Sequence, residues 1–522
     1  MLPVLVALAA SVVLPAEPRI VTAGDIDADG TSEIVVLVVF AEHGTVTDLS
    51  SPAPGQVELD VRPAIEERRE LWVLRVDGRR LAPVVEPLEV GPELLALAAA
   101  APDQRVWALR DDGPALLEFE RDERGRPTGV GFRQIVAVEP LMARSRVLAL
   151  GYPFLHDFDG VPPAEMLVPV SSGLVIVSEQ GVRASLDAPL REVDSGSSGR
   201  MRVTLPRVTD VDGDGTLDLL DVAGLSGDWS ETRVALRRGL GRWRFSGATI
   251  WTLTPLLEET PDERRKGLAR EAWDVLDLDG DGELEFALAI SRVGAETIRE
   301  GLRLIRGEPR RIELHELARD GTVGRKPERT LELDGHAWWL RHPGGWVSPF
   351  RDLDGDRRPE LLALRIAFGY FGALRAIAFG SVKATLRPVV CTIDPDGRLH
   401  PLEGSVPEAR FRMDLEDLDL SRFRSFPGDL DGDGRLDMVD VDRDEVRITW
   451  GRPGPRFPDD PDRVIPLGAA VDSFDQVRFL DVDGRGALDL LAIEPQKAGR
   501  DEDDRPSRPV RLELITLDTE RR

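Results

Sequence analysis

Asp429-Leu430-Asp431-Gly432-Asp433-Gly434-Arg435-Leu436-Asp437 runs without a break into Met438-Val439-Asp440-Val441. Carboxylates stand at positions 1, 3, 5 and 9 of this stretch and glycine at position 6. A hard cation such as calcium takes about six to eight oxygen ligands, and acids two residues apart converge on one point when the chain curls around it. Glycine at the bend admits the positive φ that other residues resist. Position 7 then offers its backbone carbonyl, and the acid at position 9 closes the shell.

The stretch occurs seven times, beginning at Asp25, Asp157, Asp210, Asp277, Asp352, Asp429 and Asp481. Four copies are complete. Their ligand sets are Asp25, Asp27, Asp29, Thr31 and Glu33; Asp210, Asp212, Asp214, Thr216 and Asp218; Asp277, Asp279, Asp281, Glu283 and Glu285; and Asp429, Asp431, Asp433, Arg435 and Asp437. The fifth copy offers Asp352, Asp354, Asp356, Arg358 and Glu360 but has Arg357 in place of the glycine. The seventh keeps Asp481, Asp483 and Asp489 with Arg485 at position 5, and the second keeps Asp157, Asp159 and Glu165 around Val161 and Pro162. Calcium is therefore expected in the first, third, fourth, fifth and sixth loops, and weakly or not at all in the second and seventh.

An EF-hand needs flanking helices and a bidentate Glu at position 12. Position 12 here is Val36, Asp221, Leu288, Ala363, Asp440 or Ala492 in six of the loops. The runs that follow are short and apolar, such as Phe286-Ala287-Leu288-Ala289-Ile290 and Leu361-Leu362-Ala363-Leu364. Such runs, bounded by turn signals, read as buried strands. The unit is strand, acidic loop, strand.

The loop starts are separated by 132, 53, 67, 75, 77 and 52 residues. Five intervals suit one four-stranded blade each. The first suits two, with a loop-less blade carried by Leu95–Ala99, Arg105–Arg110 and Leu116–Phe119. The expectation is an all-β propeller of eight blades over 20–90, 91–143, 144–198, 199–260, 268–335, 344–405, 415–468 and 472–518. Radial repetition of small sheets leaves only short edges. The alternative is seven blades, with 38–140 as one blade carrying a long insertion. An open solenoid would need polar capping repeats, which neither end shows.

This pattern resembles the FG-GAP and VCBS repeats, the propeller repeats of integrin α-subunit heads, over nearly the whole chain after residue 17. The Phe-Gly and Gly-Ala-Pro signatures are missing ahead of the loops, so the VCBS-like end of the family fits better. The resemblance implies that each loop joins the first two strands of a blade, that all loops lie on one face, that the calcium is structural, and that partners bind the opposite face or the central opening.

The chain carries 94 acidic and 67 basic residues, a net −27. Positions 1, 3, 5 and 9 of the seven loops hold 26 of those acids, and seven divalent cations would cancel about half of the net charge. The remainder argues against nucleic acid and anionic membrane surfaces as partners. There is no Asn, and 63 Arg stand against four Lys, a bias that a GC-rich bacterial genome produces. Cys391 is the only cysteine, so no intrachain disulfide forms. Leu2 to Leu14 is apolar and followed by Pro15-Ala16, which reads as a secretory signal over 1–16 ahead of a single domain over 17–522, and places the protein outside the cytoplasm. No other stretch is long and apolar enough to span a membrane.

Catalytic signatures are sparse. His315-Glu316 opens a zincin-like motif without its second His, and neither a nucleophile elbow nor a phosphate loop is present. One aromatic cluster, Trp338, Trp339 and Trp346 within His336–Trp346, falls at a blade junction and reads as core or as a ligand contact. Arg242-Trp243-Arg244 is a weaker version. The leading reading is a non-catalytic, secreted or envelope-associated calcium scaffold that binds a protein. The alternatives are a carbohydrate-binding propeller and, after that, a polysaccharide lyase.

Overall fold

The computed structural model describes residues 9–27, 29–40, 56–60, 68–77, 80–99, 105–144, 148, 153–187, 192–194, 200–223, 233–278, 282–292, 310–333, 350–367, 381–393, 399–402, 404–414, 424–471, 476–482, 488–496, 499–500, 506–507 and 509–516. Nearly all regular structure among them is β. Two short helices, Thr254–Leu257 and Pro261–Arg265, lie in the charged segment 254–270, the second closed by a capping box between Thr260 and Glu263. Trp338, Trp339, Trp346, Asp279, Asp281 and Asp483 lie outside the described residues.

Antiparallel sheets follow one another along the chain in a propeller arrangement. Four are separate four-stranded sheets, over 94–134, 155–187, 207–252 and 268–333. Two more quartets are fused into one nine-stranded sheet. One quartet is Glu17–Gly24, Glu33–Phe40, Arg68–Asp77 and Arg80–Pro83. The other is Val477–Leu480, Asp489–Pro495, Val510–Ile515 and Ala9–Leu14. Among the described residues the four-stranded blades thus number six, not the expected eight or seven.

The other two stretches depart from four strands for identifiable reasons. In 350–414 the long strand Ser381–Ile393 pairs with Leu399–Leu402 near its end and with Ala409–Asp414 near its start, giving five strands. In 424–471 a single thirteen-residue run, Asp437–Thr449, lies between Arg424–Gly428 and Arg463–Val471. Fully extended, such a run would span about 40 Å. Yet the Gly451 N–H donates to Asp437 Oδ1 at 2.9 Å, so the run doubles back on itself. Residues 38–140, the proposed single blade of the alternative, divide among three sheets.

The core lies between consecutive sheets. Successive side chains of a strand point to opposite faces. In Glu33–Phe40, Ile34, Val36 and Val38 pack toward Leu491 and Leu512 of the other quartet, while Val35 and Leu37 pack toward Val106, Ala108 and Ala115 of the sheet over 94–134. Both faces are buried, which is why this strand reads as an unbroken apolar run. Similar clusters join the second sheet to the third through Trp107 and Met166, and the fourth to the fifth through Trp251 and Phe286. Cys391 is buried in the cluster shared by Ala287 and Leu361.

Ala9–Leu14, inside the segment read as a signal, pairs antiparallel with Val510–Ile515 from Ala9↔Ile515 to Leu14↔Val510. Ser11 also meets Arg80 of the first quartet in parallel register, which joins the two quartets. A separate three-stranded sheet pairs Gln56–Asp60, an excursion from the first quartet, with Arg200–Thr204, which precedes the fourth sheet.

Candidate metal centres

Every acidic loop stands between two strands that pair antiparallel with each other. The same hydrogen-bond skeleton recurs in them. The acid at position 9 stands at the first or second residue of the second strand, is buried, and accepts the backbone N–H of position 2. These pairs are Glu33 with Ile26 (3.0 Å), Glu165 with Phe158 (3.0 Å), Asp218 with Val211 (3.0 Å), Glu285 with Leu278 (2.7 Å), Glu360 with Leu353 (2.8 Å) and Asp437 with Leu430 (2.7 Å). Asp489, the equivalent residue of the seventh loop, is also buried. Position 9 is therefore a folding residue before it is a ligand.

Position 1 takes up the turn. Asp25, Asp210, Asp352 and Asp429 each accept the N–H of positions 5 and 6, and Asp277 accepts that of Gly282. Position 5 accepts the N–H of position 7, as Asp29 does from Thr31 and Asp433 from Arg435. The residue at position 6 is left-handed in all the complete loops, with φ between +84° at Gly282 and +88° at Gly30. Arg357 adopts the same conformation at φ +69°, so a missing glycine does not change the loop's path.

Position 3 differs. In three loops one of its oxygens is engaged by the protein and the other, Oδ1 of Asp27, Asp212 and Asp354, is buried without a hydrogen-bond donor. Asp27 is paired with Arg75 and Arg121 through Oδ2, Asp212 with Arg238, and Asp354 Oδ2 accepts the Gly454 N–H. A buried anionic oxygen with no partner costs roughly 1–3 kcal/mol or more. A cation at the focus of the loop would satisfy it.

The carboxylates do converge. One oxygen from each of Asp25, Asp27 and Asp29, and of Asp352, Asp354 and Asp356, lies within 4.8 Å of the others. In the second, third and sixth loops the converging set is positions 1, 3 and 9: Asp157, Asp159 and Glu165; Asp210, Asp212 and Asp218; Asp429, Asp431 and Asp437. Hard oxygen donors in this number suit calcium rather than softer metals.

The electrostatics follow. Burial raises Glu33, Glu165 and Asp218 above the usual carboxylate range, with neighbouring loop carboxylates adding to it. Burial, reinforced by repulsion from Asp354, Asp356 and Asp352, pushes Glu360 up to about 8. Asp437 is pushed up to about 7 for the same reasons.

Several participants carry no loop motif in the sequence. Arg75 reaches Asp27, Asp29 and Glu33 from the third strand of its own sheet. Gly239 and Gly451 donate to the second oxygen of Asp218 and Asp437, at 2.7 and 2.9 Å. A Cβ on Gly239 would lie 2.4 Å from Leu217 O and one on Gly451 2.5 Å from Leu436 O, so only glycine reaches that acid. Trp243 Nε1 donates to Glu165 Oε1 at 2.7 Å across a sheet boundary, under the guanidinium of Arg183. Its role is an anchor between sheets. His315 is buried beside Glu313, 3.5 Å away, with Nδ1 2.9 Å from Gly324 O; the zincin-like reading of His315-Glu316 gains no ligand from this packing.

No family model matches this chain, and no curated protein matches it. Among solved structures it is similar to Sqt1 from Chaetomium thermophilum, with 11% identity, TM-score 0.39, and coverage of 98% of this chain and 99% of that one. It is also similar to the periplasmic gluconolactonase PpgL of Pseudomonas aeruginosa, at 13% identity and TM-score 0.25, covering 79% and 95%. A putative 6-phosphogluconolactonase from Bacteroides uniformis matches at 10% identity and TM-score 0.26, covering 78% and 93%.

Proposed function

We propose that this chain is a calcium-stabilised propeller scaffold of the FG-GAP/VCBS type that presents a rigid surface to a partner. The observation that carries the calcium part is the buried, donor-less Oδ1 at position 3 of three separate loops. Asp25, Asp27, Asp29 and Glu33, with the corresponding acids of the third to sixth loops, would hold the ions. Bound calcium supplies a fixed positive charge that ties the first strand of each sheet to the second. The degraded second and seventh loops keep the position-9 acid and lack the acid at position 5.

The partner is proposed to be a protein, bound outside the cytoplasm, where free calcium is high enough for open loops of this kind. No helix among the described residues is long and apolar enough to cross a membrane. Cleavage after Ala16 would remove Ala9–Leu14 from the edge of Val510–Ile515, so the N-terminal sequence of the purified protein bears directly on the proposed export.

Metal analysis of protein dialysed against calcium tests the reading. At least one ion for each of the four complete loops is expected; metal-free protein after dialysis overturns it. A glycan array run in calcium then separates partner classes: a blank keeps the protein partner, and calcium-dependent binding to one sugar class replaces it with a carbohydrate-binding function.

A further inference from the structure

The loops are not isolated from one another. After Thr449 the chain forms a small hairpin in which Arg452 and Arg456 bond each other's backbone. Its entry residue, Gly451, donates to Asp437 Oδ1 in the sixth loop. Its tip, Gly454, donates to Asp354 Oδ2 in the fifth loop at 2.8 Å, a hundred residues away in sequence. The base is held by Asp462, which accepts the Trp450 N–H at 2.9 Å and pairs with Arg452, and by Phe457, whose N–H donates to Ser405 O at 2.7 Å. The loops also touch directly: Leu436 N–H donates to Leu353 O at 3.2 Å, and a Cβ on Gly355 would meet Gly434 O at 2.6 Å.

The same device recurs elsewhere. Gly239 donates to Asp218 of the third loop, and the hairpin it opens, bridged at Gly239 and Phe245, carries Trp243 to Glu165 of the second loop. Arg238 pairs with Asp212 in the third loop and reaches the Gly282 carbonyl of the fourth at 3.5 Å. A hairpin that grips the closing acid of its own loop and a carboxylate of the preceding loop is a mechanical link between two ion sites.

We propose that the fifth and sixth loops bind calcium cooperatively, coupled through hairpin 452–456. This rests on the calcium reading above. An ion at Asp429, Asp431 and Asp437 fixes Asp437, and with it Gly451 and the hairpin. Gly454 then holds Asp354 with its free Oδ1 turned to the fifth site, so the second ion meets a prearranged ligand.

The test is a calorimetric calcium titration of the chelator-treated full chain, with folding of each variant checked by circular dichroism. Asp352→Ala should remove one site and also weaken another by about fivefold or more, the low end of typical coupling. Asp462→Ala removes no proposed ligand and loosens the hairpin base. It should keep the number of sites while weakening two of them by a similar factor. Loss of a single site in Asp352→Ala with every other affinity unchanged overturns the coupling and leaves the calcium reading standing. A wild-type chain that takes up no calcium overturns both.

Discussion

The sixth loop and the second share a skeleton and differ in chemistry. In both, the acid at position 9 is buried and accepts the N–H of position 2, from Leu430 to Asp437 and from Phe158 to Glu165. Both satisfy the second oxygen of that acid, from Gly451 in one and from the Trp243 indole in the other. Only the sixth carries acids at positions 1, 3, 5 and 9 together, whereas the second has Val161 at position 5. The difference shows that these loops perform two tasks. Positions 1, 3 and 9 are acids in both loops, and positions 1 and 9 shape the turn; the acid at position 5 is what separates the two, and on the proposed reading it marks the loop that holds an ion.

The largest effect that can break this comparison comes from removing the position-9 acid. Asp437→Ala strands two buried N–H groups, and Glu165→Ala strands one together with the indole N–H. At about 1–3 kcal/mol per unsatisfied group, each variant should lose on the order of 2–6 kcal/mol in chemical denaturation. The account requires that the Glu165→Ala loss be the same with calcium and with chelator, while the Asp437→Ala loss grows when calcium is supplied. Equal calcium dependence in the two would erase the distinction between the loops.

The pH dependence of the chelated protein sharpens it next. Glu360 and Asp437 stay protonated in the folded chain up to about 8 and about 7, against ordinary values of 4.5 and 3.8. Between those limits the folded state binds protons that the unfolded state has released. The stability these two acids contribute is therefore fully present below about pH 4 and is lost as pH rises toward 8. On the proposed reading calcium takes the place of the protons, so saturating calcium should flatten the slope. Melting curves across this range, with and without chelator, read it directly.

A smaller effect tests the glycine contact. Gly451→Ala and Gly239→Ala each place a methyl against a backbone carbonyl that cannot retreat as a side chain can. A cost of about 1–3 kcal/mol is expected in each, as for other overpacked sites. A neutral result would show that the approach of this backbone to the position-9 acid is loose.

The smallest effect concerns Arg357. A non-glycine residue in the left-handed region costs about 1–2 kcal/mol, part of which is offset by the added freedom glycine brings to the unfolded chain. Arg357→Gly should raise stability by about 1 kcal/mol or less in denaturant titration and leave calcium uptake by the fifth loop in place.

These features were unequally legible in the sequence. The acidic loops and the strands after them could be read because their information is local: carboxylate spacing, one glycine, and an apolar run whose alternate residues face two neighbours. The pairing of Ala9–Leu14 with Val510–Ile515 could not, since a short apolar run at a chain start looks the same whether it is a leader or a strand, and its partner lies some 500 residues away. The blade count failed for a related reason. Interval lengths measure chain, and cannot distinguish a fourth strand from the doubled run Asp437–Thr449 or from a fifth strand such as Ala409–Asp414. Gly239, Gly451 and Gly454 carried no signal among the 49 glycines, because what marks them is the neighbour they approach.

The central claim, that calcium in the complete loops holds the sheets together, is met most directly by thermal unfolding of the full chain in excess calcium and in excess chelator. Each occupied site contributes about 2.7 kcal/mol when free calcium is a hundredfold above its Kd. The account predicts a melting temperature that rises with calcium concentration and falls on chelation. A melting temperature that chelator leaves unchanged would contradict it.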